Sequence, residues 1–225
     1  MLDKTNNNSL IPTQVKDQDL VAKRRRQIVD AAVTLFMEKG FHKTTTREIA
    51  RAVGFSIGSL YEYVKSKEDI LFLVCDAIHA DMEEGVTHAL EKATGAKDVL
   101  PAMIRGYFLV CNRLDRHILL IYQEAKSLPK HWRKKVLENE VRITSLFVLA
   151  LRQLMKEGVL PPMDQPALDI MAHNITVWGH MWAYRGWYLS RQYTIEEYIE
   201  QQTAFILDSC ASNGGRAQGE DHEAR

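Results

Sequence analysis

TTTREIARAVGFSIGSLYEYVKSKEDIL, residues 44–71, sets two short amphipathic segments on either side of a glycine and places a second glycine early in the second segment. Thr45 or Thr46 carries the hydroxyl that caps a first helix, and Glu48 stands two or three residues inside it. Ile49, Ala50 and Val53 give that helix one apolar face before Gly54 ends it. Phe55 and Ser56 make the link, and residues 57–64 form another short helix. Segments this short are marginal alone, so they fold by packing on a third element. Two short helices joined through a Gly-containing turn fit a helix-turn-helix. Gly54 supplies the backbone conformation that a Cβ would oppose. Ile49, Val53, Phe55, Leu60 and Tyr63 fall where such a unit buries side chains, which leaves Arg47, Ser56, Ile57, Ser59, Tyr61 and Glu62 on the outer surface. Gly58 removes a side chain that would hold the backbone away from a DNA groove.

Working outward, Ile28, Ala31, Ala32, Leu35 and Phe36 recur at helical spacing and Gly40 closes their segment, giving the third helix of the unit. Ser66 caps a fourth helix, with Glu68 and Asp69 in the first turn where the macrodipole favours acids, and it continues to about residue 90. Apolar helical periods follow at 99–112, 117–127, about 131–157, about 167–189 and about 194–210, with Thr194 as the last cap and LPPMDQP (160–166) as a break. No strand pattern stands out. The expected fold class is all-α. Residues 1–20 read as a polar, disordered arm, 21–67 as the helix-turn-helix domain, 68–211 as a helical body, and 212–225 as a disordered tail.

The 225 residues are formally neutral, but ten basic residues against four acidic between Ala22 and Lys67 give that module +6 and leave −6 on the remainder. A basic module on an acidic body points to a polyanion partner for the first part, with a solvated charged face as the alternative. No apolar run is long enough for a membrane span and no secretory leader is written, so the chain is expected to be cytoplasmic. Cys75, Cys111 and Cys210 are widely spaced and suggest neither a zinc site nor a disulfide framework; no cofactor is called for.

The run AAVTLFMEKGFHKTTTREIARAVGFSIGSLYEYVKSKEDIL, with its G-F-x-x-T-T, I-A-x-x-x-G, G-x-L-Y-x-Y and S-K-E-x-L elements, resembles the tetracycline-repressor (TetR) family of bacterial regulators over about 41 residues. That resemblance implies an all-α homodimer with a three-helix DNA-binding domain and a C-terminal domain that holds a small effector and pairs through its last two helices. Carried over by position, Thr46 and Ser56 resemble hydroxyl caps that take phosphate oxygens. Tyr61 and Tyr63 resemble aromatics reaching the backbone, and Lys67 resembles the lysine that pins a neighbouring phosphate. Base reading falls to Arg47, Ile57, Gly58 and Ser59; Ile57 departs from the polar or basic residue of many members and suits a thymine methyl. The run KRRR, residues 23–26, either touches flanking phosphates or is a solvated helix start, and Tyr63 is either a DNA contact or core.

In the body, polar or soft groups interrupt apolar faces at Met103, Tyr107, Cys111, Tyr122, Gln123, Phe147, His173, Asn174, Val177 and Trp178. These are the candidate lining of a pocket for a small hydrophobic effector, with ordinary core as the alternative for the apolar members. YQEAKSLPKHWRKK, the W-x-x-R-x-W and T-I-E-E-Y-I segments resemble family members that answer to fatty acyl-CoA, in which Arg133, Lys134 and Lys135 would meet CoA phosphates. Ala172, Thr176, Gly179, Ala183 and Gly186 form a ridge of small residues, read either as the dimer contact or as close packing within one subunit. Taken together, the expectation is a ligand-responsive repressor on a pseudo-palindromic operator. A ligand-independent regulator or activator is the alternative, and an enzyme using His173, His180 and C-terminal Glu residues the rival from another class. The rival lacks a Gly-rich phosphate loop, H-E-x-x-H and a nucleophile elbow.

Overall fold

The computed structural model describes residues 10–213, and its secondary structure there is helical. The elements are α1 (Gln18–Lys39), α2 (Thr46–Val53), α3 (Ile57–Tyr61), α4 (Lys67–Glu91), α5 (Ala96–Arg113), α6 (Asp115–Glu124), a 3-10 turn (Ala125–Ser127), α7 (Lys130–Lys156), α8 (Gln165–Gln192) and α9 (Ile195–Asn213). The caps explain the boundaries. Asp17 accepts from Leu20 N ahead of α1, Asp164 from Ala167 N ahead of α8, and Thr194 and Glu197 form a reciprocal capping box ahead of α9. The helix expected over 57–64 stops at Tyr61, because Tyr63 N and Val64 N both turn back onto Leu60 O and close the segment.

The chain divides into two compact units, one running to His79 and including Leu119–Asn139, the other comprising Ala80–Ile118 and the residues from Glu140 onward. This division differs from the expected boundary at residue 67: the first part of α4, the end of α6 and the start of α7 group with the helix-turn-helix.

In the first unit, Ile28, Ala32, Phe36, Ile49, Leu60 and Val64 are buried together with one charged side chain, Arg25, 1% exposed. Its Nε donates to Tyr63 O at 3.0 Å and its Nη2 to Ile11 O at 2.7 Å, while Thr13 Oγ1 donates to Glu62 O at 2.7 Å. Burial depresses the guanidinium pKa and the nearby Asp69 charge opposes that. Two expectations are corrected here. Arg25 is not available to flanking phosphates, and residues 10–20 are not a loose arm, since Ile11 is buried, Thr13 is tied to the 61–64 turn, and α1 begins at Gln18. The remainder of the expected arm, residues 1–9, and most of the expected tail lie outside the described residues. Asp69 organises the far side of the same core. Its Oδ2 accepts from Lys65 N and Ser66 N, its Oδ1 accepts from Trp132 Nε1 at 2.9 Å, and the Trp132 ring stacks on Phe72 with centroids 4.0 Å apart.

In the second unit, Tyr107 lies beside Phe147 and Phe108, and Phe108 beside Tyr198. The polar tips are satisfied: Tyr198 Oη donates to Trp178 O, Trp182 Nε1 donates to Asn112 Oδ1, and Tyr107 Oη lies 2.7 Å from His180 Nε2. The three cysteines are free and buried. Four of the five small residues of the α8 ridge face inward: Ala172, Thr176, Gly179 and Ala183 are buried, and a Cβ on Gly179 would lie 2.6 Å from Tyr107 Cε1, whereas Gly186 is half-buried and a Cβ there would meet nothing within 4 Å. The ridge is therefore the α5–α8 crossing within one subunit, and the reading that made it the dimer contact is corrected.

Burial lowers the His180 pKa from 6.5 to about 4, so its ring is neutral in the folded chain. With the folded value depressed, its contribution to stability is present above about pH 6.5 and is lost as pH falls toward 4. In urea unfolding, wild type is expected to lose more stability across that window than His180→Gln, which keeps a hydrogen-bonding group and does not titrate. Identical pH dependence in the two proteins would contradict the placement.

Candidate nucleic-acid interface

The surface begins at the α2 N-terminus. Thr45 Oγ1 accepts from Glu48 N at 3.2 Å, Glu48 Oε2 accepts from Thr45 N at 2.8 Å, and Lys39 Nζ donates to Glu48 Oε1 at 2.7 Å. The Lys39 bond first, and then the Thr45 bonds, hold the Glu48 pKa at about 2. Thr45 is thus the cap, which sets Thr46 at the first helical position. The turn follows from Gly54, at φ 76° and ψ 25°, in the left-handed region that a Cβ disfavours; its N–H bonds back to Ala50 O and Arg51 O. Ser56 then caps α3, its Oγ accepting from Ser59 N at 3.0 Å and lying 2.9 Å from Ser59 Oγ.

These local features produce an exposed surface across α2 and α3. Thr46 Oγ1 and Tyr61 Oη meet at 3.2 Å and join the two helices. Arg47, Ser56 and Gly58 are exposed, Ile57 is 38% and Tyr61 47% exposed, and Ser59 and Thr46 are half-buried. A Cβ on Gly58 would meet only Ser56 Oγ, at 3.7 Å, so the space above it is open. The arrangement offers hydroxyls and a guanidinium as donors, one apolar methyl surface at Ile57, and an unobstructed backbone at Gly58. Such a set suits phosphate oxygens and base edges.

Two residues expected on this surface are placed elsewhere. Tyr63 is 7% exposed, its ring beside Phe55 and its carbonyl on Arg25, so it supports the surface from behind. Lys67 directs its ammonium at the carbonyls of Phe41, Thr44 and His42, at 2.8, 2.9 and 3.3 Å, and lies over the Phe41 ring. All three of its N–H donors are occupied, and the residue clasps the α1–α2 loop instead of presenting a free cation to phosphate.

The ten residues expected to line an effector pocket separate into groups. Met103, Tyr107, Cys111 and Phe147 are buried in the second unit, and Asn174 and Trp178 are half-buried there. His173 and Val177, the latter 55% exposed, lie on the outer face of α8 and do not join that cluster. Tyr122 and Gln123 are exposed and belong to the first unit. His180, which the effector reading passed over, is the partner of Tyr107; a histidine four residues after Thr176 and one after Gly179 was the available signal. The enzyme reading drew on His173 and His180, but one is exposed and the other is buried against Tyr107. Among the described residues, no cluster of three or more His, Cys, Asp or Glu is placed to hold a metal, and no helix is long and apolar enough to cross a membrane.

Fold and surface together define a helix-turn-helix DNA-binding protein with an all-helical body. Residues 28–74 match the family model described as bacterial regulatory proteins, tetR family. The chain is 27% identical over 206 residues to the HTH-type transcriptional regulator HbdR of Aromatoleum sp. (strain CIB), spanning 92% of this chain and 89% of that protein. It is 24% identical over 204 residues to the HTH-type transcriptional repressor KstR2 of Rhodococcus jostii (strain RHA1), spanning 90% and 98%. The crystal structure of AibR in complex with isovaleryl coenzyme A and operator DNA has the same fold, with a TM-score of 0.66 at 22% identity, covering 82% of this chain and 98% of that one. Residues 28–74 thus carry the N-terminal segment that the TetR family model describes, and the chain as a whole is similar to HTH-type transcriptional regulators over about nine-tenths of its length.

Proposed function

We propose that the chain is a ligand-responsive transcriptional repressor that binds a pseudo-palindromic operator as a homodimer and is released by a hydrophobic effector of the acyl-CoA class. The observation that carries the DNA reading is the capped α2–α3 surface, on which Arg47, Ser56, Ile57, Gly58 and Tyr61 are exposed and Thr46 and Ser59 half-buried, above a core fixed by Arg25 and Lys67. Arg47, exposed and with no hydrogen bond to its guanidinium among the described residues, reads a base edge, and Ser56 and Thr46 take phosphate oxygens.

Dimerisation is supported by the outer face of α8, where Ile170, Val177, Tyr184 and Tyr188 are exposed, and by exposed Phe205 on α9. A face this apolar is suited to a second copy, and a two-fold pairing would set two α3 helices one DNA turn apart, about 34–36 Å. The effector class is supported by the likeness to AibR, which was crystallised with isovaleryl coenzyme A and operator DNA, and the repressor reading by the likeness to the repressor KstR2. The apolar body around Met103, Tyr107 and Phe147 suits an acyl chain.

Fluorescence anisotropy on an operator recovered by in vitro selection tests the proposal with a panel of acyl-CoAs. At least one is expected to weaken operator binding about tenfold or more, equivalent to a coupling of about 1.4 kcal/mol. A panel with no effect would leave the ligand-independent regulator as the better reading. In the same assay, Arg47→Ala is expected to cost about 1–3 kcal/mol on the operator and to relax the preference at one or two positions per half-site. A uniform loss on all sequences would reassign Arg47 to the backbone.

A further inference from the structure

The basic character of the chain does not end with the helix-turn-helix. AKSLPKHWRKK, residues 125–135, carries Lys126, Lys130, Arg133, Lys134 and Lys135 with no Asp or Glu, inside a portion of the chain that is otherwise acidic. This run belongs to the same compact unit as α1–α3. Lys134 and Lys135 approach Glu138 at 3.9 and 3.5 Å, whereas Lys126, Lys130 and Arg133 are exposed and in no ion pair among the described residues.

Contacts on both sides fix where the run sits. Ser127 Oγ lies 3.3 Å from His42 Nε2, and Glu124 Oε2 lies 3.7 Å from the same nitrogen. His42 stands in the loop that feeds α2, three residues before the Thr45 cap, and Lys67 holds that loop by its carbonyls. Farther along, Trp132 is bonded to Asp69 in the first turn of α4. The carboxylates that contact the run are Glu124, which accepts from Ser127 Oγ, Asp69, which accepts from Trp132 Nε1, and Glu138 beside Lys134 and Lys135.

Four chain steps from His42 to Thr46 span at most about 14 Å, and the His42 side chain with its 3.3 Å contact adds about 8 Å, so Ser127 Oγ stands within about 22 Å of the start of α2. Duplex DNA carries one charge per about 1.7 Å of axis, so a duplex engaging α2 and α3 passes several further phosphates within that distance. We infer that Lys126, Lys130 and Arg133 contact the DNA backbone flanking each half-site, so that the bound duplex extends beyond the span of the helix-turn-helix. The inference rests on the DNA-binding reading above and gives the run to DNA, whereas the resemblance in sequence would give part of it to CoA phosphates.

The test compares the selected operator with the same operator lengthened by about five base pairs of mixed sequence at each end, titrated in anisotropy over a range of salt concentrations. Wild type is expected to bind the longer duplex more tightly and with a steeper salt dependence. The triple variant Lys126→Ala, Lys130→Ala, Arg133→Ala is expected to lose that preference. Its slope should fall by about one for each phosphate contact removed in each protomer, hence by two or more for the dimer. The charge-retaining variant Lys126→Arg, Lys130→Arg, Arg133→Lys is expected to behave as wild type. A triple alanine variant with unchanged slope and unchanged length preference would overturn the inference while leaving the proposed function standing. So would loss of calorimetric binding of free coenzyme A in that variant with its DNA binding unaltered, which would assign the run to nucleotide phosphates. Wild type that binds neither duplex would overturn the proposed function and this inference with it.

Discussion

Gly179→Leu is expected to lower the melting temperature by about 6–12 °C while the helical content and the proposed dimer persist. A Cβ at this position would sit 2.6 Å from Tyr107 Cε1, 2.9 Å from Tyr107 Cδ1 and 3.2 Å from Cys111 Sγ. Tyr107 is itself held, by Phe147 on one side and His180 on the other, so it can retreat only by giving up those contacts. Overpacking of this kind costs about 3 kcal/mol or more, which a chain of this size reads as about 2–4 °C per kcal/mol. The gain of about 1 kcal/mol in helix propensity on replacing Gly does not offset it. Gly179→Ala should therefore also destabilise, by less. Differential scanning calorimetry reads the stability and sedimentation reads the assembly. A variant of unchanged stability would contradict the α5–α8 crossing, and a monomer of unchanged stability would return the ridge to the dimer interface.

Asp69→Ala is expected to cost about 3–5 kcal/mol in urea unfolding. The change leaves Lys65 N, Ser66 N and the Trp132 indole N–H without their acceptor, and it removes the charge that opposes desolvation of buried Arg25. Asp69→Asn keeps an acceptor and should cost less. Trp132→Phe, which keeps the stack on Phe72 and loses one hydrogen bond, should cost about 1 kcal/mol. An alanine variant within about 0.5 kcal/mol of wild type would show that these bonds do not hold the start of α4 to the start of α7.

The helix-turn-helix was legible because its constraints are local. A cap at Thr45, an acid three residues on, and a glycine in a left-handed turn specify their own geometry through neighbours in sequence. The same local rules located most helix boundaries. What escaped depended on partners far along the chain. Asp69 looked like a first-turn acid suited to the helix dipole, and only Trp132, 63 residues away, reveals it as a junction. Lys67 and Tyr63 match the family motif by position, yet the loop at 41–44 and the buried Arg25 engage them first. Arg25 had a signal that went unread: it falls on the apolar face of α1 with Val21, Ile28, Ala32 and Phe36, where a solvated basic run would not be. The ridge at 172–183 was correctly read as a close helix approach, but spacing alone carries no information about whether the approaching helix belongs to the same subunit. For His173 and Val177, an apolar period in α8 did not distinguish its inner face from its outer one, because both are apolar.

Selection of bound duplexes from a random pool, followed by anisotropy with Gly58→Glu, tests most directly whether the α2–α3 surface reads DNA. Wild type should enrich one pseudo-palindrome and bind it about a thousandfold or more tighter than random DNA at physiological salt. The space above Gly58 is open, so the variant should fold as wild type does, yet its carboxylate would face phosphates and base edges and should cut operator affinity about a hundredfold or more. A pool that yields no enriched sequence, or a folded Gly58→Glu protein that binds the enriched duplex as tightly as wild type, would contradict the assignment of this surface to DNA.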